Sequence, residues 1–358
     1  MPHTCCARTR ATTVAANARR ARKSTRSAIP DKIADYISQY LLDRYIEHDP
    51  QTRYAVEVQI KGYQVTLGGE VSSKHHFSAQ EIRDFVRASV NEIGYTREYQ
   101  QKWGADNTIC GDLLDVAIYI CQQSNDIAQG LSGWGDQGIF FGYCEYRPDT
   151  CGMPLDHTLA KRLCKDLFES GIGGLDIKTQ VITRNDKVEK VIVAIPLLDD
   201  TSKKTVKHFV RSRIKGRYQL IINGTGRYVK HSSIADCGTT GRKLAVDFYG
   251  GNSKLGGGSP WTKDASKADL TLNLAARRLA INYSMKYKTD VTTALACCIG
   301  KQAVDFIVQD TAENTLAEGT MDINPQEICK EFKLNTPIYA SMCRWGLFGE
   351  YQQDKVWE

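Results

Sequence analysis

Residues 30–67, PDKIADYISQYLLDRYIEHDPQTRYAVEVQIKGYQVTL, carry the pattern from which the fold is read. Proline suits the first helical position, and Asp31 beside it complements the positive end of a helix dipole. Ile33, Ile37 and Leu41 recur at spacing four, with Ala34 and Leu42 widening the stripe, so a helix is predicted to about Ile46. Two strand-like runs follow, Tyr54–Ile60 and Gln64–Leu67, turned at Lys61-Gly62. A helix joined to a hairpin is therefore the building unit.

The unit returns about once per hundred residues. Ser78–Glu81 is a capping box for a helix to about Glu92, ahead of strands at Leu113–Cys121 and Ile139–Tyr143. A helix over Leu155–Glu169 precedes the strands Ile177–Arg184 and Val188–Leu197, then a helix over Ser202–Ile214 and a strand over Tyr218–Ile222. A long helix at about Ala265–Lys286 precedes strands Val291–Ile299 and Ala303–Gln309, and Asn324-Pro325 caps a short helix. The fold class is α+β with mixed or antiparallel sheets, because the strict alternation of a dinucleotide fold is absent. No residue-level repeat accompanies the threefold recurrence. The implied divisions are a basic extension over 1–29, disordered or non-native, and α+β domains over 30–130, 131–230 and 231–358.

Composition is that of a globular protein, with 42% hydrophobic and 25% charged residues. No apolar run is long enough to span a bilayer. The twelve cysteines form no C-x-x-C pair, so they read as reduced thiols of a cytoplasmic protein. The net charge of +6 comes from the first thirty residues, which hold seven bases and no acid. The remainder is near neutral, and nothing in it supports nucleic-acid or membrane binding.

Four segments carry chemistry. Pro30-Asp31-Lys32 at a helix start can attract phosphate and hold magnesium, or serve only as a charged cap. Gly133-Trp134-Gly135-Asp136-Gln137-Gly138 lets backbone approach a ligand, with Asp136 as acceptor, or is an ordinary turn. Asp236-Cys237-Gly238-Thr239-Thr240-Gly241-Arg242-Lys243 offers backbone N–H groups and two permanent cations to a polyphosphate, without P-loop spacing. Gly256-Gly257-Gly258 through Lys263, Asp264, Lys267 and Asp269 pairs cations with carboxylates, or is a solvated helix start. Together they ask for a long, anionic, magnesium-bound ligand, a nucleoside triphosphate.

In this order the segments resemble the S-adenosylmethionine synthetase family. The resemblance runs from Pro30 to about Gly349 through PDKIADYIS, LGGE, EIGY, GDQG, GTGRYV, DCGTTGRK, DFYGG, GGGSPWTKDASKAD and a late IG. It implies three α+β domains about a pseudo-threefold, and sites at the interface of a homodimer or a dimer of dimers. It implies synthesis of S-adenosylmethionine from ATP and L-methionine, with hydrolysis of the triphosphate to pyrophosphate and phosphate. The cofactors implied are two Mg2+ per site and K+.

Carried over by motif, Asp31 and Asp269 are the magnesium ligands and Glu57 takes part in the potassium site. Lys178, Arg242, Lys243, Lys263 and Lys267 hold the triphosphate, with Lys32 and Asp236 also on the ATP side. Glu70, Gln123, Lys267 and Ile299 line the methionine pocket, Asp136 serves both substrates, and Tyr228 stacks on adenine.

The family places histidine before PDK; this chain has Ile29, which neither donates a hydrogen bond nor carries charge. The segment Ser124–Asp136 is also shorter than in many bacterial members. Three readings of Ile29 stand: a single-base insertion upstream that turned Gly-His-Pro into Ala-Ile-Pro, a transit peptide, or an inactive variant. The last would be an ATP- or S-adenosylmethionine-binding subunit that pairs with an active paralogue. His75 and His76, near the Glu70 strand, are the alternative donors. A tail without apolar periodicity is expected to be removable to residue 26 without loss of stability.

Overall fold

The computed structural model describes residues 28–122, 133–199 and 202–349, and the backbone of 19–25. Its strands in chain order begin with β1 (Arg19–Thr25), β2 (Arg53–Lys61), β3 (Gln64–Ser72) and β4 (Asp115–Cys121). Next come β5 (Gly138–Cys144), β6 (Lys178–Arg184), β7 (Lys187–Ala194) and β8 (Gln219–Ile222). The last are β9 (Gly238–Thr239), β10 (Val291–Cys297), β11 (Ala303–Asp310) and β12 (Thr315–Asp322). The helices that position the site are α1 (Pro30–His48), α2 (Ala79–Ile93), α3 (Arg97–Trp103) and α4 (Leu155–Ser170). They are followed by α5 (Ser202–Arg213), α6 (Ser232–Ala235), α7 (Leu244–Asp247), α8 (Ala268–Tyr287), α9 (Pro325–Glu331) and α10 (Tyr339–Cys343).

These strands make three four-stranded sheets, ordered β4-β3-β2-β9, β1-β6-β7-β8 and β12-β11-β10-β5. Two of them are mixed, through the parallel pairs β3–β4 and β7–β8, and the third is antiparallel. The α+β class read from the sequence is the class of the molecule. The linear division is less simple, because each sheet takes a strand from outside its own stretch. β5 pairs with β10, β9 with β2, and β1 with β6.

The basic stretch therefore has structure over part of its length. Arg19–Thr25 forms seven in-register pairs with β6. Backbone hydrogen bonding needs no apolar side chains, which is why periodicity did not reveal it. The expectation of a freely removable tail is replaced by its opposite. Deleting residues 1–26 exposes the β6 edge, and the melting temperature should fall by about 2–4 °C for each kcal/mol lost. Differential scanning fluorimetry of the truncated chain checks this.

Helix α1 departs from the expected single stripe, since fifteen of its nineteen residues are buried. Its apolar side joins the main core with β2, β3, α2 and α8. Its polar side is buried against chain from the last third of the sequence, and each polar group there needs a partner. Asp31 Oδ1 accepts the Thr239 N–H at 2.9 Å, and Asp35 Oδ1 that of Gly241 at 2.8 Å. Gln39 Oε1 accepts the Thr262 N–H at 2.8 Å, and Asp43 those of Tyr339 and Ala340 at 2.9 Å each. Positions 31, 35, 39 and 43 fall at spacing four, so one line of acceptors on α1 anchors three separate segments, around 239–241, 262 and 339–340. Among the described residues no helix is long and apolar enough to cross a membrane.

Candidate active site

The glycine-rich segment around DCGTTGRK lies across the start of α1. A Cβ at Gly238 would collide with the Pro30 carbonyl, so only glycine permits this approach. Gly241, at φ 73°, turns the chain so that its N–H meets Asp35 and the next two side chains reach Asp31. Lys243 Nζ pairs with Asp31 Oδ2, and Arg242 Nε lies 3.9 Å from Asp31 Oδ1 with its side chain largely exposed. Asp236 remains exposed, its carboxylate accepting the Cys237 N–H at 2.8 Å.

A second acid–base couple stands at the start of α8. Lys263 Nζ pairs with Asp269 Oδ2 at 2.7 Å. A Cβ at Gly258 would overlap the Asp269 carboxylate, and one at Gly256 the Ile139 carbonyl. Lys267 is the N-cap residue of α8. Thr262, just before Lys263, holds φ 74°, which is strained for a β-branched residue. Its surroundings over-determine it: its N–H goes to Gln39, its carbonyl accepts from Val56 N at 3.2 Å, and its hydroxyl bonds Glu57 at 3.1 Å.

Strand β2 relates the two couples. Gln59 pairs with Thr239, while Ala55 bridges to Lys263, so the couples flank positions four residues apart, about 13 Å along the strand. Glu57 lies midway, one carboxylate oxygen bonded by Thr240 Oγ1 and the other by Thr262 Oγ1. Glu70 pairs with Ala55 on the other side, which brings it near the Lys263 end. The turn carrying Asp136 joins through Trp134, which bridges Ile299 and bonds Lys301 O at 3.0 Å. Asp136 and Ile299 are thus neighbours, both exposed. Gln123 lies outside the described residues, as does most of the shortened segment before Asp136.

Lys178 and Tyr228 form a third group. Lys178 Nζ lies 3.4 Å from Asp176 Oδ1 and 5.9 Å from the Tyr228 ring centroid. The Tyr228 hydroxyl donates to Asp176 O at 3.2 Å, and burial, then the Asp176 charge, push its pKa above the ordinary range. A groove of about 170 Å³ beside it is lined by Leu197, Lys203, Asn223 and Arg227. Lys178 pairs across the ladder with Thr25, four residues before Ile29, so chain length keeps this group near the start of α1.

Two expected residues sit differently. Lys32 is only 1% exposed, its ammonium 2.8 Å from Asp247 and 3.0 Å from Asp35, so it presents no surface to a phosphate. Its reading as an ATP ligand gives way to one of internal support. Ile29 is 2% exposed, packs into the core and offers no side-chain cap to α1. Sequence reading missed Asp35, Gln39 and Asp247; the recurrence of polar residues at 31, 35, 39 and 43 was the available signal.

As chemistry, the site is two carboxylates, each balanced by a lysine on a glycine-rich loop. Single carboxylates of this kind fit magnesium, which takes one or two protein oxygens and completes its shell with phosphates and water. Glu57 with two threonine hydroxyls is an all-oxygen set suited to a hard monovalent cation. The lysines and Arg242 fit the phosphates.

The model for the S-adenosylmethionine synthetase N-terminal domain matches residues 21–125, and that for the C-terminal domain matches 231–358. The S-adenosylmethionine synthase of Salinispora tropica is 32% identical over 92% of this chain and 93% of its own length. That of Myxococcus xanthus is 31% identical over 92% and 89%. A solved structure described as an unusual S-adenosylmethionine synthetase from Campylobacter jejuni superposes with a TM-score of 0.84 at 28% identity, covering 95% of this chain and 97% of that one.

Proposed function

Because the chain belongs to the S-adenosylmethionine synthetase family, we propose that it joins L-methionine to ATP, and that the triphosphate released is hydrolysed to pyrophosphate and phosphate. The observation that supports this most is the pair of couples, Lys243–Asp31 and Lys263–Asp269, set at two ends of β2 by loops that only glycine allows.

Attack of the methionine sulfur on C5′ of ATP makes the whole triphosphate a leaving group, so the charge developing on it must be met by fixed cations. Arg242, Lys243, Lys263 and Lys178 supply them, and each lysine would turn from its carboxylate to a phosphate on binding. Asp31 and Asp269 would then hold Mg2+, which shields the triphosphate when bound, and Glu57 would hold K+. Glu70, Asp136 and Ile299 would orient methionine from the Lys263 end, with Lys267 beside them, and Tyr228 would pack on adenine.

A second copy would complete the site. Tyr119, Ile139 and Ile299 are 71%, 54% and 51% exposed beside these segments, an apolar surface of the kind partners cover. The proposal includes three sheet-centred units with boundaries near residues 130 and 230.

Incubating the full chain with ATP, methionine and magnesium, and following S-adenosylmethionine by mass spectrometry, tests the reading. A chain that binds neither ATP nor tripolyphosphate would overturn it. Gly258→Ala should lower turnover about tenfold without a large change in melting temperature, because the added methyl displaces the Asp269 carboxylate. The buried, donor-free Ile29 favours a second reading, that of an impaired subunit paired with an active paralogue. It is distinguished by nucleotide binding without synthesis.

A further inference from the structure

Resting on the triphosphate reading above, we infer that Lys32 is a positioning residue, whose buried ammonium fixes the two loops that carry Arg242, Lys243 and Lys263 relative to each other and to Asp31 at the start of α1.

The connections radiate from one atom. Lys32 Nζ lies 2.8 Å from Asp247 Oδ1, 3.0 Å from Asp35 Oδ2 and 4.5 Å from the centroid of the Trp261 ring. Each carboxylate uses its other oxygen to hold a separate loop. Asp35 Oδ1 accepts the Gly241 N–H and Asp247 Oδ2 accepts the Trp261 Nε1–H, both at 2.8 Å. Gly241 directly precedes Arg242 and Lys243, Trp261 stands two residues before Lys263, and Lys32 itself follows Asp31. Two polar contacts therefore lead from the ammonium to each loop bearing a site cation.

A buried ion cluster is a poor device for stability, since desolvation consumes most of the attraction. It is a good device for geometry, because its bonds are directional and no water competes. The Lys32, Asp35 and Asp247 side chains are 1%, 0% and 1% exposed, so solvent does not screen these contacts. Without the ammonium, two carboxylates would face each other in the core, and the Gly241 and Trp261 anchors would separate.

Lys32→Met keeps the length of the side chain and removes the charge. In the full chain it should weaken magnesium–tripolyphosphate binding, measured by calorimetry, about 10–100-fold, although residue 32 does not touch that ligand. Methionine affinity should stay within about twofold, a split that general loosening of the fold would not give. Adding Asp35→Asn to Lys32→Met should recover much of the loss, since an asparagine can accept from Gly241 and donate to Asp247. Lys263→Ala serves as the control for the reading itself.

Unchanged tripolyphosphate affinity in Lys32→Met, beside a loss in Lys263→Ala, would overturn the inference and leave the reading standing. Unchanged affinity in Lys263→Ala would overturn the reading. Should Lys32→Met not fold, Trp261→Phe cuts one arm alone, and a drop of about threefold to tenfold is expected. No drop there would overturn the inference.

Discussion

Asp269→Asn is expected to abolish detectable S-adenosylmethionine formation while the protein stays folded. The substitution is nearly isosteric, so the contact with Gly258 and the first turn of α8 are retained. What it removes is the anionic oxygen that pairs with Lys263 and that would hold magnesium against the triphosphate. The cost to folding is small because this ion pair is partly open to water, where such pairs contribute about 0–1 kcal/mol. A neutral amide binds magnesium weakly and leaves Lys263 without its guide. Product formation by mass spectrometry and a melting curve decide the matter together. A folded and active Asp269→Asn variant would remove Asp269 from the metal site, and with it half of the proposed arrangement.

The parts of this fold that were legible in the sequence are those whose side chains alternate or recur. β2 shows strict burial alternation and α2 a clear apolar face with its capping box, and both were placed within two residues. β12 was not read because most of its residues are exposed and it has no buried face to alternate against. α3 was missed because it buries only Trp103, and β9 because it is two residues long. Strand partners were illegible for a different reason. The pairing of β5 with β10 joins residues about 150 apart, and no local pattern encodes it.

The site shows the same division. Loops rich in glycine and charge announced themselves, and the structure brings Lys243 to Asp31 and Lys263 to Asp269, pairings that the separate motifs did not specify. Lys32 was misread because a lysine at a helix start looks the same whether its side chain turns outward or inward. Only its distance from Asp247, 215 positions away, separates the two. The line of acceptors at 31, 35, 39 and 43 was visible as spacing, but polar residues four apart normally suggest a solvated face. Burial reversed their meaning.

Ile29→His should raise the rate of S-adenosylmethionine formation by about 10²–10³, the usual worth of one donor aimed at a developing charge. As written, the chain keeps Arg242, Lys243, Lys178 and both carboxylates, yet has no donor at the residue preceding α1. ATP affinity should change far less than rate, because the missing contact matters mainly as the triphosphate departs. The melting temperature should fall at the same time, since the site now holds a buried apolar side chain and an imidazole there needs a partner. A gain in rate with a loss in stability is a combination that improved packing could not produce. His75 and His76 are poor substitutes within one protomer. His75 stacks at 4.1 Å on His48, the last residue of α1, and His76 lines a groove with Tyr45 and Val71. At 1.5 Å per residue, nineteen residues of helix put that end about 28 Å from Ile29. Full activity of the unaltered chain, with no gain from Ile29→His, would show that the donor comes from elsewhere, and the second protomer would then be the place to look.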